Sequence, residues 1–264
     1  MTMLQKLYGR LLTLIAFIAI GGCQTAPPPP PSAAQLITAA EAVASQAARD
    51  YATLEACAAL GGEISSQASD TREIWLFNNE KLLNAAALNM AQQRNDWVSV
   101  SDTDYSLSTI QLFKTEQAAT LARLNLAQRG PDNQKSTCQS ALTAIESRRL
   151  DQQVEEPRAL AALLAHGDGL VADNLQFDHY ASHFKASVLP GRSYFAVFES
   201  LKDLCPDRRL EVDTLVNQWP EEYYSAICQG EPLMLIHCQW AECTQQQPAT
   251  RTIKSDNYDR YRIL

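Results

Sequence analysis

The chain is 264 residues long, 46% hydrophobic, 20% charged and 8% aromatic. This composition belongs to a folded globular protein; it excludes wholesale disorder, collagen-like repetition and a membrane protein of many spans. The formal net charge of -8 argues against a nucleic-acid partner, which a basic surface would meet.

The first ten residues carry Lys6 and Arg10 and no acid, and Leu11–Ile20 follows with only Thr13 polar. That run is about half of the roughly 20 residues a helix needs to cross a bilayer. A short basic region followed by a short apolar one is the layout of an export signal. It leads into Ile20-Gly21-Gly22-Cys23. An aliphatic residue, two small residues and a cysteine resemble the lipobox of bacterial lipoproteins, over residues 1–23 alone. The resemblance implies a signal peptide over 1–22 that is removed, and a lipid-modified Cys23 carrying diacylglycerol and a further acyl chain such as palmitate. Three acyl chains hold a protein on a membrane far more firmly than one. Gln24 in place of aspartate implies sorting to the outer membrane, with the body facing the periplasm. Removal of 1–22 takes away Lys6 and Arg10 but no acid, so the lipid and not surface charge would make the attachment.

Residues 23–34 comprise this cysteine and a proline-rich tether, QTAPPPPPSAA from Gln24 to Ala34. Pro27–Pro31 favours polyproline II, at roughly 3.1 Å per residue, so the tether would reach roughly 30 Å.

A mainly α body follows. Over 35–150 the spacing predicts a four-helix up-and-down bundle. Leu36, Ala40, Val43, Ala47, Tyr51, Leu54 and Ala58 recur by threes and fours on one helix face, ended by Gly61-Gly62. A second helix is expected from about Asp70 to Arg94, with Leu76, Leu83, Ala87 and Met90 inward. A third is expected from about Asp104 to Arg129, with Leu107, Ile110, Phe113, Leu121 and Leu124 inward, stopped by Gly130-Pro131. A fourth is expected from Asp132 to Leu150, with Cys138, Leu142 and Ile145 inward.

Over 155–264 the pattern predicts a helix-rich α+β half with a small sheet. Helices are expected at Glu155–His166, Val171–Ala186, Ser193–Leu204 and Leu210–Trp219. Leu233–Cys238 reads as a strand, with Thr250–Lys254 and Tyr258–Leu264 as its partners.

Seven cysteines are present, and the lipobox takes Cys23. The six that remain suit three disulfides in an oxidising compartment. In an up-and-down bundle the end of helix 1 and the start of helix 4 share a pole, which pairs Cys57 with Cys138. The favoured pairings of the rest are Cys205–Cys228 and Cys238–Cys243. No CxxC occurs to suggest zinc.

His179 and His183, four apart, lie on one helix face and form a candidate metal pair, with His166 or His237 as a third ligand. The residues between them lack the glutamate of HExxH. Gly167-Asp168-Gly169-Leu170-Val171-Ala172 has the letters of a dinucleotide loop but follows an Ala/Leu helix and lacks the later acid, so it reads as a helix stop. There is no GxSxG elbow and no Walker loop. Glu199-Ser200 is similar to the Glu-Ser pair of lytic transglycosylases, without the rest of that motif. Trp219-Pro220-Glu221-Glu222-Tyr223-Tyr224 is a candidate contact surface for sugar or protein, and Trp240, between Cys238 and Cys243, a candidate contact residue.

No catalytic residue and no cofactor is assigned. The first functional expectation is an accessory or scaffold lipoprotein that docks an envelope protein partner. The alternatives are an enzyme acting on envelope polymers, using a metal on His179 and His183, and a structural lipoprotein tied to the cell wall.

Overall fold

A computed structural model of the chain describes residues 29–167, 176–205 and 209–250. Among these, helices dominate and two small antiparallel sheets accompany them, giving a helix-rich α+β fold. The signal peptide, Cys23, most of the GxGxxA stretch and the strands expected at 250–254 and 258–264 fall largely or wholly outside the described residues.

The first helix, α1 (Ala33–Ala58), begins at a capping box: Ser32 accepts from the Gln35 backbone and Gln35 answers at the Ser32 N–H. Its inner face is Ala39, Ala40, Val43, Ala44, Ala47 and Ala48, all buried. Such small side chains let neighbouring helices approach on several sides. α2 (Gly62–Arg94) packs along α1, and α3 (Leu107–Leu124) packs on α1 as well. α4 (Pro131–Glu146) lies mainly on α2, and α5 (Pro157–Gly167) crosses α1 and α2. Gly61 and Gly62, at φ 76° and 59°, make the turn between α1 and α2 in the left-handed region that glycine adopts without strain.

Several expected boundaries shift. α2 starts at Gly62 rather than Asp70, and α4 stops at Glu146 rather than Leu150. The third helix ends at Leu124, where Asn125 at φ 46° caps it, and Leu121 is more than one third exposed rather than in the core. Ahead of it comes a hairpin of β1 (Trp97–Val100) and β2 (Thr103–Ser106) that helical periodicity did not foretell. Its tip, Ser101-Asp102, has φ 48° and 65°, the two positive values of a two-residue turn matched to strand twist. Cys138, Leu142 and Ile145 of α4 are buried as their spacing requires.

Two short helices follow, α6 (Gln176–His183) and α7 (Tyr194–Leu201). Leu210–Trp219, expected as a helix, is a strand. The chain ends in a meander of β3 (Leu210–Gln218), β4 (Glu221–Cys228), β5 (Glu231–Gln239) and β6 (Glu242–Gln246). The reason is local. Leu210, Val212, Thr214 and Val216 alternate, mostly β-branched, and each pairs across β3–β4 or lies beside the bulge between Thr214 and Val216. The strand expected at Leu233–Cys238 lies within β5.

The sheet has two working faces. Leu215, Val216, Tyr223 and Leu235 join the main helical core. Leu210, Val212, Tyr224, Ala226, Ile236 and Cys238 face α7 and pack on Val197 and Leu201 in a second core. Lys114 of α3, only 3% exposed, ties helix to sheet by donating to the Thr214 and Lys185 carbonyls at 2.8 Å each and facing Asp213 at 3.5 Å. Burial pulls its ammonium down and pushes the Asp213 carboxyl up, and their mutual attraction offsets each shift only in part.

All three expected disulfides are present: Cys57–Cys138, Cys205–Cys228 and Cys238–Cys243. The first joins the end of α1 to the middle of α4, not to its start as expected, the second the segment after α7 to the end of β4, and the third spans β5 and β6.

Candidate functional site

The two aromatic features singled out in the sequence meet at one end of the four-stranded sheet. Trp219 lies in the two-residue link between β3 and β4, before a cis Pro220. Trp240 lies in the two-residue link between β5 and β6. Because β4 and β5 are neighbours, the links are adjacent, and the Trp240 N–H donates to the Pro220 carbonyl at 3.2 Å, one step past the last paired residues, Glu221 and Gln239. The indoles meet edge to face, centroids 5.6 Å apart at 85°. Both are open to solvent, Trp219 by 41% and Trp240 by 66%.

The mounting is rigid. Trp240 and Ala241 have φ 53° and 68°, positions that glycine or asparagine would ordinarily fill. Cys238 and Cys243 stand opposite each other just inside this turn, Cα atoms 4.0 Å apart, and their disulfide staples it. On the other side, the Arg192 guanidinium lies 4.4 Å from the centre of the Trp219 ring. The Asn217 amide donates to the Leu189 carbonyl at 3.0 Å, which brings the exposed Leu189 to the same end of the sheet.

Arg192 is held there by a buried anion. Glu222, with no exposure, accepts the backbone N–H of Arg192 at 2.7 Å, that of Ser193 at 3.0 Å and the Tyr224 hydroxyl at 2.8 Å. Burial pushes its carboxyl up, but the donors on Ser193, Tyr224 and Arg192 outweigh it and hold it below the usual glutamate range. The same contact drives the Tyr224 phenol well up, first through burial and then through the adjacent carboxylate. Gly191 completes the seat: a Cβ there would fall 2.6 Å from the Glu222 carboxyl.

Next to the indoles is a polar trio. Glu221 takes hydrogen bonds from His237 and Gln239, and the His237 contact above all lowers its carboxyl. His237 stacks on Tyr223, 4.4 Å away and nearly parallel.

The other expected site residues are dispersed. His183 stacks on Tyr105 and lies against Phe184 while one side stays open to solvent; this partial burial, and then the neighbouring His179, lower its imidazole. Among the described residues no group of three His, Cys, Asp or Glu side chains stands close enough to hold a metal, so the His179–His183 pair has no third ligand there. His237, one of the two proposed, belongs to the sheet end instead. Glu199 pairs with Lys202 at 2.7 Å, and Ser200 donates to the Val197 carbonyl at 2.8 Å. Two adjoining hollows of about 220 and 230 Å³ lie over α1 and α3, sharing Ala56 and Leu121. Each is below the roughly 300 Å³ at which small-molecule pockets begin. Arg192 and Glu222 were not singled out as a unit by the sequence. Their relation is a contact across 30 residues, and only the Glu-rich start of β4 hinted at it.

Neither protein-family models nor curated proteins nor solved structures match the chain.

Proposed function

We propose that the protein is a lipid-anchored accessory protein of the bacterial envelope, held by Cys23 in the outer membrane with its body towards the periplasm, which docks a protein partner through the Trp219–Trp240 end of its sheet. The observation that carries this reading is the exposed, edge-to-face tryptophan pair, braced by a disulfide on one side and by Arg192 on the other. Tryptophan and arginine are the residues on which interface energy concentrates, and rigid mounting lowers the entropic cost of binding. Three disulfides are consistent with an exported chain. No described helix is long and apolar enough to cross a membrane, and the lipid on Cys23 would supply the attachment. The finer architectural reading goes with this one: α1 to α4 form an up-and-down bundle, supported by α4 packing on both α2 and α1 and by the Cys57–Cys138 link that holds the middle of α4 to the end of α1.

The test is the native mass of the protein after gentle solubilisation of the envelope. The expected result is a discrete complex with an envelope protein that Trp219→Ala/Trp240→Ala abolishes and Phe195→Ala, at a separate exposed aromatic, preserves. Incorporation of labelled palmitate, lost in Cys23→Ser, tests the anchor. A monomer unaffected by either tryptophan would overturn the docking role.

A further inference from the structure

Resting on the reading of this sheet end as a docking surface, we propose that its ligand is a polyproline II segment, and that Pro27–Pro31 of a second copy of this chain supplies it. Two indoles meeting at 85° form a corner, a floor and a wall, into which a flat, rigid, apolar ring fits. Pyrrolidine rings on a polyproline helix have that shape, and the helix is already extended, so little entropy is lost on docking.

Hydrogen-bond chemistry narrows the choice further. Among the described residues the indole N–H groups of Trp219 and Trp240 and the Arg192 guanidinium make no hydrogen bond or ion pair, the arginine's contact being with the Trp219 ring. Of the two carboxylates that flank the links, Glu221 is already taken by His237 and Gln239, and Glu242 stands exposed at the start of β6. The rings and Arg192 therefore offer donors, and acceptors stand only at the rim of the corner. A run of prolines is its complement, since proline presents a carbonyl and has no N–H.

The chain carries one such run, QTAPPPPPSAA, between Cys23 and α1. Pro29 and Pro30 are exposed and precede the Ser32 cap that starts α1. The described prolines Pro29 and Pro30 and the two indoles are each open to solvent, so a neighbour's run can meet the corner. The contact is head-to-tail, and copies tethered in one membrane plane raise one another's effective concentration.

Solute quenching of tryptophan fluorescence isolates the site, because Trp75 and Trp97 are at most 2% exposed and Trp219 and Trp240 dominate the quenched signal. With the mature chain and the synthetic peptide QTAPPPPPSAA, the acrylamide quenching constant should fall about twofold at saturation, the exposed pair being covered while the buried pair is silent. A peptide with its five prolines replaced by serine should do nothing. The chain with serine at all five positions should sediment as a monomer where the unmodified chain associates. The proposal is overturned if the peptide leaves quenching unchanged at millimolar concentration, if the serine chain associates like the original, or if an N-acetylglucosamine oligomer protects the pair and the peptide does not. Should the peptide fail while Trp219→Ala/Trp240→Ala still loses its envelope partner, the docking role stands and this inference falls. If both fail, the docking role falls too.

Discussion

Glu222 and Arg192, 30 residues apart, are joined by a 2.7 Å hydrogen bond from the arginine backbone N–H to a carboxylate with no solvent exposure. This buried anion, satisfied by three donors and, among the described residues, by no cation at hydrogen-bond distance, fixes the turn before α7 onto the sheet. It thereby sets the arginine side chain over Trp219.

Glu222→Gln should lower stability at pH 7 by about 1–3 kcal/mol, the worth of hydrogen bonds to a charged group. The folded-state carboxyl lies below its ordinary value, so the stability it contributes is present above that value and lost as pH falls through the depressed one. Thermal unfolding from neutral to acid pH should therefore be less steep in the variant than in the original; equal slopes would refute the assignment. Gly191→Ala should destabilise the same seat, because the added methyl meets the Glu222 carboxyl.

Asp50 should act in the opposite sense. It is 1% exposed, pairs with Arg148 and accepts from Gln46 at 2.9 Å. Burial raises its carboxyl to about 6, with Arg148 and Gln46 only partly opposing. Between its ordinary value near 3.8 and about 6 the folded state binds more proton than the unfolded, so this group's contribution declines as pH rises through that window and is flat above it. A rise from 3.8 to about 6 corresponds to about 3 kcal/mol. Asp50→Asn should remove that decline, as read from denaturant midpoints across the window.

Breaking Cys57–Cys138 by double serine substitution should cost about 4–5 kcal/mol, because it frees a loop spanning 81 residues in the unfolded chain. Chemical denaturation of the double variant, compared with the original in the absence of reductant, measures this directly.

Cys238→Ser/Cys243→Ser should cost only about 2 kcal/mol, since the residues are five apart. Its sharper effect should be local. Without the staple the Trp240-Ala241 turn frays and the exciton signal of the tryptophan pair in circular dichroism weakens. A retained signal would show that the strands alone hold the corner.

Trp240→Ala should separate folding from docking. At 66% exposure its loss should change stability by less than about 0.5 kcal/mol. Partner affinity should fall by about 2 kcal/mol or more, roughly 30-fold, if the corner is the interface centre. Unfolding and binding measured on one preparation give both numbers.

Periodicity and cysteine position carried much of the architecture. The inward faces of α1 and α4 and the strand around Leu233–Cys238 were readable because a buried stripe recurs with the pitch of its own element. The Cys57–Cys138 pairing followed from the expected ends of the helices and Cys238–Cys243 from short spacing along the chain, which left Cys205 with Cys228. Both tryptophans were legible as candidates, Trp219 by the acids and aromatics that follow it and Trp240 by its place between Cys238 and Cys243.

The rest depended on neighbours in space. β3 was misread because ten residues with apolar positions at both two- and three-residue intervals fit either element, and only pairing with β4 decides between them. The β1–β2 hairpin is too short for a period to emerge. That Trp219 and Trp240 touch follows from β4 lying beside β5, and that Arg192 covers Trp219 follows from a carboxylate 30 residues further on. Sequence alone therefore determined which segments bury a face and which cysteines could meet, because those are local properties of spacing. Tertiary structure alone decided that an arginine, a buried glutamate and two distant turns make one surface, because such contacts arise from strand order and packing and leave no trace in the spacing of any one segment.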